Sequence, residues 1–244
     1  MVLHSHLARS AALLLVACGL GAAETADSAA GSAPGASTGA ADIPNVTGKL
    51  GDAASITNNP PGRYRAGWMA TPSNPFSGSI EAISSPNGKG VIFLVNLENL
   101  PAQGGPFSYH IHDQPVPDDG NCNKTLAHLD PYQRGQKPDC DAGEPQTCEV
   151  GDLSGKHGKI EGTNVQDRMF HDMYTSLAEG IGAFVGNRSV VIHFANTTRF
   201  ACSNFVAVYP DRHKADEKHR PMNKDNMTPH ARRMLSFMEA LRGV

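Results

Sequence analysis

From Asn45 onward the chain alternates short runs of apolar and polar residues, rich in β-branched and aromatic side chains, with clusters of Gly, Pro and Asn. This pattern predicts strands over residues 67–70, 77–83, 91–95, 108–112, 189–194 and 205–209, because period-two alternation lays one face of a strand on a core and turn residues bound each run. Short strands with no interleaved helical periodicity predict an all-β fold, an antiparallel sandwich or barrel. Residues 112–189 are rich in Pro, Gly, Asp and Cys. So long a stretch is unusual in a compact domain unless its loops carry function or are pinned by cross-links.

The two ends differ from this middle. His4, His6 and Arg9 precede an apolar run over 11–20, and the small residues Gly21, Ala22 and Ala23 follow, so residues 1–23 read as an export signal. The run is about half the ~20 residues that a membrane span needs. Leu15-Val16-Ala17-Cys18 also fits a bacterial lipoprotein box, but five glycosylation sequons, at Asn45, Asn123, Asn187, Asn196 and Asn226, favour a eukaryotic secretory route. Residues 24–41 are mostly Ala, Ser, Gly and Thr, too poor in bulky apolar groups to offset ordering entropy, and are expected to form a flexible spacer. The folded domain is then expected over 42–210. The charged tail, 211–244, is either disordered or forms an amphipathic helix over 229–241, with Met234, Leu235, Phe237, Met238 and Leu241 near one face. It ends without the apolar run of a GPI signal, so that anchor is not expected.

A net charge of -3 gives no general attraction for nucleic acid or anionic lipid, so any anion has to be drawn by local charge. Of five cysteines, Cys18 leaves with the signal, and Cys122, Cys140, Cys148 and Cys202 remain. An even number in an oxidising compartment predicts two disulfides, with three pairings open. A four-thiolate zinc site is the rival, but there is no CxxC pair.

The strongest chemical feature is Tyr109-His110-Ile111-His112. On a strand, residues i and i+2 share a face, so His110 and His112 can bind one metal together. An HxH pair alone is a weak signal. Two further histidines change the weighing: His128, in Thr125-Leu126-Ala127-His128-Leu129-Asp130-Pro131, and His193, in the apolar run Val190-Val191-Ile192-His193-Phe194. A lone His193 would read as a satisfied core histidine. Here it does not stand alone, and an uncompensated imidazole in an apolar strand would be costly.

The segments GGPFSYHIH, TLAHLDP, CEVGDLSGKHG and VVIHFANTTRFAC resemble, in order, the signature segments of copper-only superoxide dismutases, relatives of the Cu,Zn enzymes. The resemblance covers roughly residues 60–205 and implies a Greek-key β-sandwich or barrel with long ligand-bearing loops. It implies one copper ion on His110, His112, His128 and His193, which disproportionates superoxide to oxygen and hydrogen peroxide. No zinc is expected, because of the zinc ligands of the Cu,Zn branch only His128 and Asp152 are in place, and Glu149 stands where a histidine would be. The resemblance further implies that Glu149 and Asp152 hydrogen-bond histidine ligands and fix their tautomers. Arg199 would attract and hold superoxide, and His128, oriented by Glu149, would carry a proton. The same likeness pairs Cys122 with Cys202 and Cys140 with Cys148, and it leaves almost no chain between His193 and Arg199 for a substrate-guiding loop. His157 belongs to the pattern without an evident chemical role and is read as structural, while His171, His213, His219 and His230 are read as solvated. The expected protein is a secreted monomer, extracellular or wall-associated. A copper-buffering protein on the same fold and an inert structural glycoprotein are the rival readings.

Overall fold

The computed structural model describes residues 49–208 and 227–242. The segments 1–23 and 24–41, expected to be an export signal and a spacer, lie outside the described residues, as do Tyr209, His213, His219 and the sequon asparagines Asn45 and Asn226. Eight strands follow in order: β1 Arg63–Trp68, β2 Ser77–Ser84, β3 Val91–Glu98, β4 Ser108–His112, β5 Val165–Asp172, β6 Ser189–His193, β7 Arg199–Asn204 and β8 Val206–Ala207. A five-stranded sheet has the order β5-β3-β2-β1-β8 and a three-stranded sheet the order β4-β6-β7, with every strand pairing antiparallel. The first three strands form a meander. The connections β3–β4, β4–β5 and β5–β6 then each pass from one sheet to the other, which makes the fold an all-β Greek key.

The core lies between the sheets. Ile80, Phe93, Val95 and Leu97 of the larger sheet meet Tyr109, Ile111, Val190 and Ile192 of the smaller one, all without solvent exposure. Each large side chain so buried stabilises the fold by roughly 1.5–3 kcal/mol. At one seam, Trp68 Nε1 donates to the Cys202 carbonyl at 3.1 Å and Gly67 N–H to Ser203 Oγ at 3.1 Å, tying β1 to β7 across the sheets.

The sequence pattern misses β5 and β7 and starts the first strand at 67 rather than Arg63. In β5 only Asp172 is buried, and β7 is half-buried throughout, so neither shows clean alternation. Both form because a neighbouring strand offers an open row of backbone partners, with Val91 opposite Asp172 and Val191 opposite Cys202. The long middle region also holds a short helix, α1 (Leu153–His157), and two 3-10 turns, Cys122–Thr125 and Pro145–Thr147. Disulfides join Cys122 to Cys202 and Cys140 to Cys148. In the tail, Pro229–Arg242 forms a helix, α2, with Met234, Leu235, Phe237, Met238 and Leu241 half-buried. Asn87 Nδ2 donates to the Leu241 carbonyl at 2.9 Å. His230 is not simply solvated, since its Nδ1 lies 2.5 Å from Asp167 Oδ1. His171 Nε2 likewise bonds the Lys89 carbonyl, at 2.6 Å.

Candidate metal centre

Strand alternation places the first ligands. Tyr109 and Ile111 point into the core, so His110 and His112 project from the opposite face of β4. In the β4–β6 register Ser108 lies opposite His193, His110 opposite Val191 and His112 opposite Ser189. Directly opposed residues share a face, which brings His193 to the same side as His110 and His112. His128 arrives from a loop, bridged to His112 across the backbone.

Three segments that carry ligands and carboxylates are knitted by a closed ring of backbone hydrogen bonds. Ile111 N–H donates to the Gly151 carbonyl at 2.9 Å, Gly151 N–H to the Leu129 carbonyl at 2.8 Å and Leu129 N–H to the Ile111 carbonyl at 2.8 Å. Ile111 sits between His110 and His112, Leu129 follows His128, and Gly151 sits between Glu149 and Asp152. A Cβ at position 151 would lie 2.3 Å from the Ile111 carbonyl oxygen, so only glycine fits. The ligand atoms of His110, His112, His128 and His193 all lie within 4.8 Å of one another.

Hydrogen bonds assign each ring its tautomer. His112 Nδ1–H donates to the Leu126 carbonyl at 3.0 Å, His193 Nδ1–H to the Thr197 carbonyl at 2.9 Å, and His128 Nδ1–H to Glu149 Oε2 at 2.5 Å. Each of these rings is left with a lone pair on Nε2. His110 is reversed: its Nε2 lies 3.0 Å from Ser154 Oγ and 3.4 Å from Asp152 Oδ1, and its Nδ1 is buried without a partner. The donor set is therefore three Nε2 atoms and one Nδ1. The Nε2 atoms of His112 and His193 stand 3.2 Å apart. Two lone pairs at that distance repel unless a proton or a cation lies between them, and together with the orphaned Nδ1 this fits a metal ion with imidazole ligands.

Electrostatics keep the cluster ready to bind. Burial lowers the pKa of His112 to about 2 and of His193 to about 4, and it lowers His110 too; the rings stay neutral and able to coordinate. For Asp152, burial pushes the pKa up, but the hydrogen bond and charge of His110 and the Gly155 N–H outweigh it and hold the carboxyl down at about 2.

Arg199 lies opposite His193 in the β6–β7 register, and the connection between them is a tight turn closed by Phe194 N–H to the Thr198 carbonyl at 2.9 Å. Its guanidinium is fixed at three points: Nη1 donates to the Cys122 carbonyl and, at 2.9 Å, to Thr125 Oγ1, and Nη2 donates to the Leu126 carbonyl at 2.5 Å. The four histidines and Arg199 line one cavity of about 470 Å³, whose rim also carries Lys137 and Lys159. Sequence reasoning missed Ser154 and Thr125. Both lie within quoted motifs, Ser154 directly after Gly-Asp-Leu and Thr125 at the head of the His128 segment. The carbonyls of Leu126 and Thr197, which set two tautomers, leave no trace in residue type. His157 bonds Asp172 Oδ2 at 2.9 Å and stacks on Phe170, away from the histidine cluster.

No protein-family model matches the chain. It is 41% identical over 185 residues to a cell surface Cu-only superoxide dismutase of Arthroderma benhamiae, covering 64% of this chain and 50% of that protein. It is 38% identical over 141 residues to cell surface Cu-only superoxide dismutase 5 of Candida albicans, covering 58% of this chain and 59% of that protein. The matches thus span about half the length of these curated relatives. The solved structure of Candida albicans superoxide dismutase 5 in its Cu(II) form superposes with a TM-score of 0.55 at 32% identity, covering 69% of this chain and all of that one. A variant of the same enzyme aligns at 34% identity over 92% of its length, with a TM-score of 0.55.

Proposed function

The chain belongs to the family of cell-surface Cu-only superoxide dismutases, and from that premise we propose that it disproportionates superoxide to oxygen and hydrogen peroxide. The reaction takes place at one copper ion held by His110, His112, His128 and His193, without zinc. The observation that carries this reading is the facing pair of Nε2 atoms of His112 and His193, 3.2 Å apart, beside the unpartnered Nδ1 of His110. When bound, copper supplies one-electron oxidation of one superoxide and one-electron reduction of a second.

The protein's own residues do the rest. The Leu126 and Thr197 carbonyls keep His112 and His193 in the tautomer that presents Nε2. Glu149 accepts the Nδ1 proton of His128, which leaves Nε2 as the one nitrogen of that ring with a lone pair to bind copper or to hold a proton. Asp152 and Ser154 orient His110 through Nε2. The fixed guanidinium of Arg199, with Lys159 in the lining of the same cavity, draws the anion toward the histidines, while Lys137 is paired with Asp139. Arg199 favours the enzyme over a copper-buffering protein, which needs the imidazoles but no anchored cation beside them.

The two disulfides suit an oxidising compartment, and with the cell-surface relatives they support a secreted, extracellular or wall-associated protein. We read residues 1–23 as the export signal, 24–41 as a spacer and 42–210 as the catalytic domain, acting as a monomer without nucleic-acid partners.

The test is superoxide consumption by the purified mature chain before and after copper reconstitution, with copper and zinc quantified on the same samples. Fast copper-dependent turnover without zinc supports the proposal. Tight copper binding without turnover would point to buffering, and stoichiometric zinc would overturn the copper-only site.

A further inference from the structure

Behind the turn that carries Glu149 and Asp152 lies a buried charge cluster that the reaction above does not use. The side chains of Lys156 and Asp172 have no solvent exposure, and Nζ lies 2.5 Å from Asp172 Oδ2. Lys156 Nζ also donates to the Val150 carbonyl at 2.9 Å. Asp172 is held in turn: Oδ1 accepts from Tyr174 N–H at 3.0 Å, Thr175 N–H at 2.9 Å and Thr175 Oγ1 at 3.0 Å, and Oδ2 accepts from His157 Nε2 at 2.9 Å. Replacing such a pair by apolar groups of similar volume is often neutral or stabilising, so stability alone does not account for it.

Its location does. Val150 stands between Glu149, which holds His128, and Gly151, which closes the backbone ring. Asp152 N–H donates to the Glu149 carbonyl at 3.0 Å, and Lys156 N–H donates to the Asp152 carbonyl at 3.3 Å. Lys156 therefore grips the turn twice, by its side chain at Val150 and by its backbone at Asp152. Asp172, at the end of β5, anchors the lysine to the opposite sheet.

We infer that Lys156, anchored by Asp172 and His157, is a positioning residue: it fixes the Val150 carbonyl and thereby the orientation in which Glu149 and Asp152 hold His128 and His110. The inference rests on the copper reading of the site. It also gives His157 a task, since that imidazole ties the end of α1 to the same carboxylate.

The experiment compares the full mature chain with Lys156→Met/Asp172→Asn, which removes both charges, and with Lys156→Arg, which keeps the cation. Copper affinity is read by chelator competition, the Cu(II) environment by electron paramagnetic resonance, and stability by thermal melting. Copper affinity about tenfold weaker in the double variant, within the range seen when outer hydrogen-bond partners of metal ligands are lost, with a changed Cu(II) spectrum and recovery of both toward wild type in Lys156→Arg, supports the inference. A double variant with wild-type affinity and spectrum overturns it, whatever its melting temperature, and leaves the cluster purely structural. Should the double variant fail to fold, Asp172→Asn alone decides on its folded fraction: a shift in either copper readout supports the inference and identity with wild type overturns it. Wild-type protein that binds no copper defeats the copper reading itself, a separate result from normal wild-type binding that the variants leave unchanged.

Discussion

Glu149 and His128 form the shortest contact made by any of the four clustered histidines, Oε2 to Nδ1 at 2.5 Å, with 7% and 11% of the two side chains exposed. Their backbones lie 21 residues apart and meet because Leu129 and Gly151 share the hydrogen-bonded ring with Ile111.

Because Glu149 bonds His128 at Nδ1, the nitrogen that does not face the other ligands, Glu149→Ala is expected to slow turnover per bound copper by roughly 10- to 100-fold or to alter its pH dependence, with most copper retained by the other three histidines. Steady-state kinetics and metal analysis on the same preparation check this. Lost copper with an unchanged rate per copper would reduce Glu149 to a metal-retention role.

Gly151→Ala would put a methyl group 2.3 Å from the Ile111 carbonyl oxygen and 2.9 Å from Leu129 N. The ring has to open, at a cost of about 1–3 kcal/mol for overpacking, and His128 and Glu149 lose their registration with His110 and His112. The expected outcome is a lower melting temperature together with weaker copper binding. A stable variant with wild-type affinity would show that the ring does not set the site.

Arg199→Met is expected to lower kcat/KM about tenfold or more and to flatten its dependence on ionic strength, because the local cation that draws the anion is gone. Arg199→Lys keeps the charge but not the fork that holds Thr125, Leu126 and Cys122, and should recover only part of the rate. Stopped-flow rates across a salt series, corrected for copper content, make the comparison.

Acid should unfold the copper-free protein in two stages. His193, with its pKa lowered by burial to about 4, and His112, lowered to about 2, refuse protons that the unfolded chain accepts near its ordinary value of ~6.5. Stability therefore falls as pH drops below that point. Burial alone would raise the Asp172 pKa, but Lys156 and His157 outweigh it and hold the carboxyl below the usual range. Its contribution is complete above ~3.9 and lost as pH falls further toward its folded value. Chemical denaturation at a series of pH values should show both stages in the copper-free chain. Copper loading should raise stability but leave the first slope in place and carry it below about 4, since copper-bound imidazoles refuse the same protons.

What was legible in the sequence had short-range or compositional causes. Alternation in Ser108–His112 and the apolar run of Ser189–His193 determine which faces carry His110, His112 and His193, because side chains on a strand repeat every two residues. The motif resemblance pointed to His128, Glu149, Asp152 and Arg199 and to an all-β Greek key. Strand β5, whose only buried residue is Asp172, carries no such signal; it exists because β3 presents an open edge. Tautomers depend on the carbonyls of Leu126 and Thr197, which every residue type possesses. The tie from Lys156 to Asp172 joins residues 16 apart in sequence and lying on different elements, and no local pattern marks a buried ion pair. The sequence by itself determined which faces could bear the histidines and which chemistry they suit. Only the tertiary structure decided which nitrogens face one another and what holds them there, because those depend on backbone groups and long-range packing that side-chain identity does not encode.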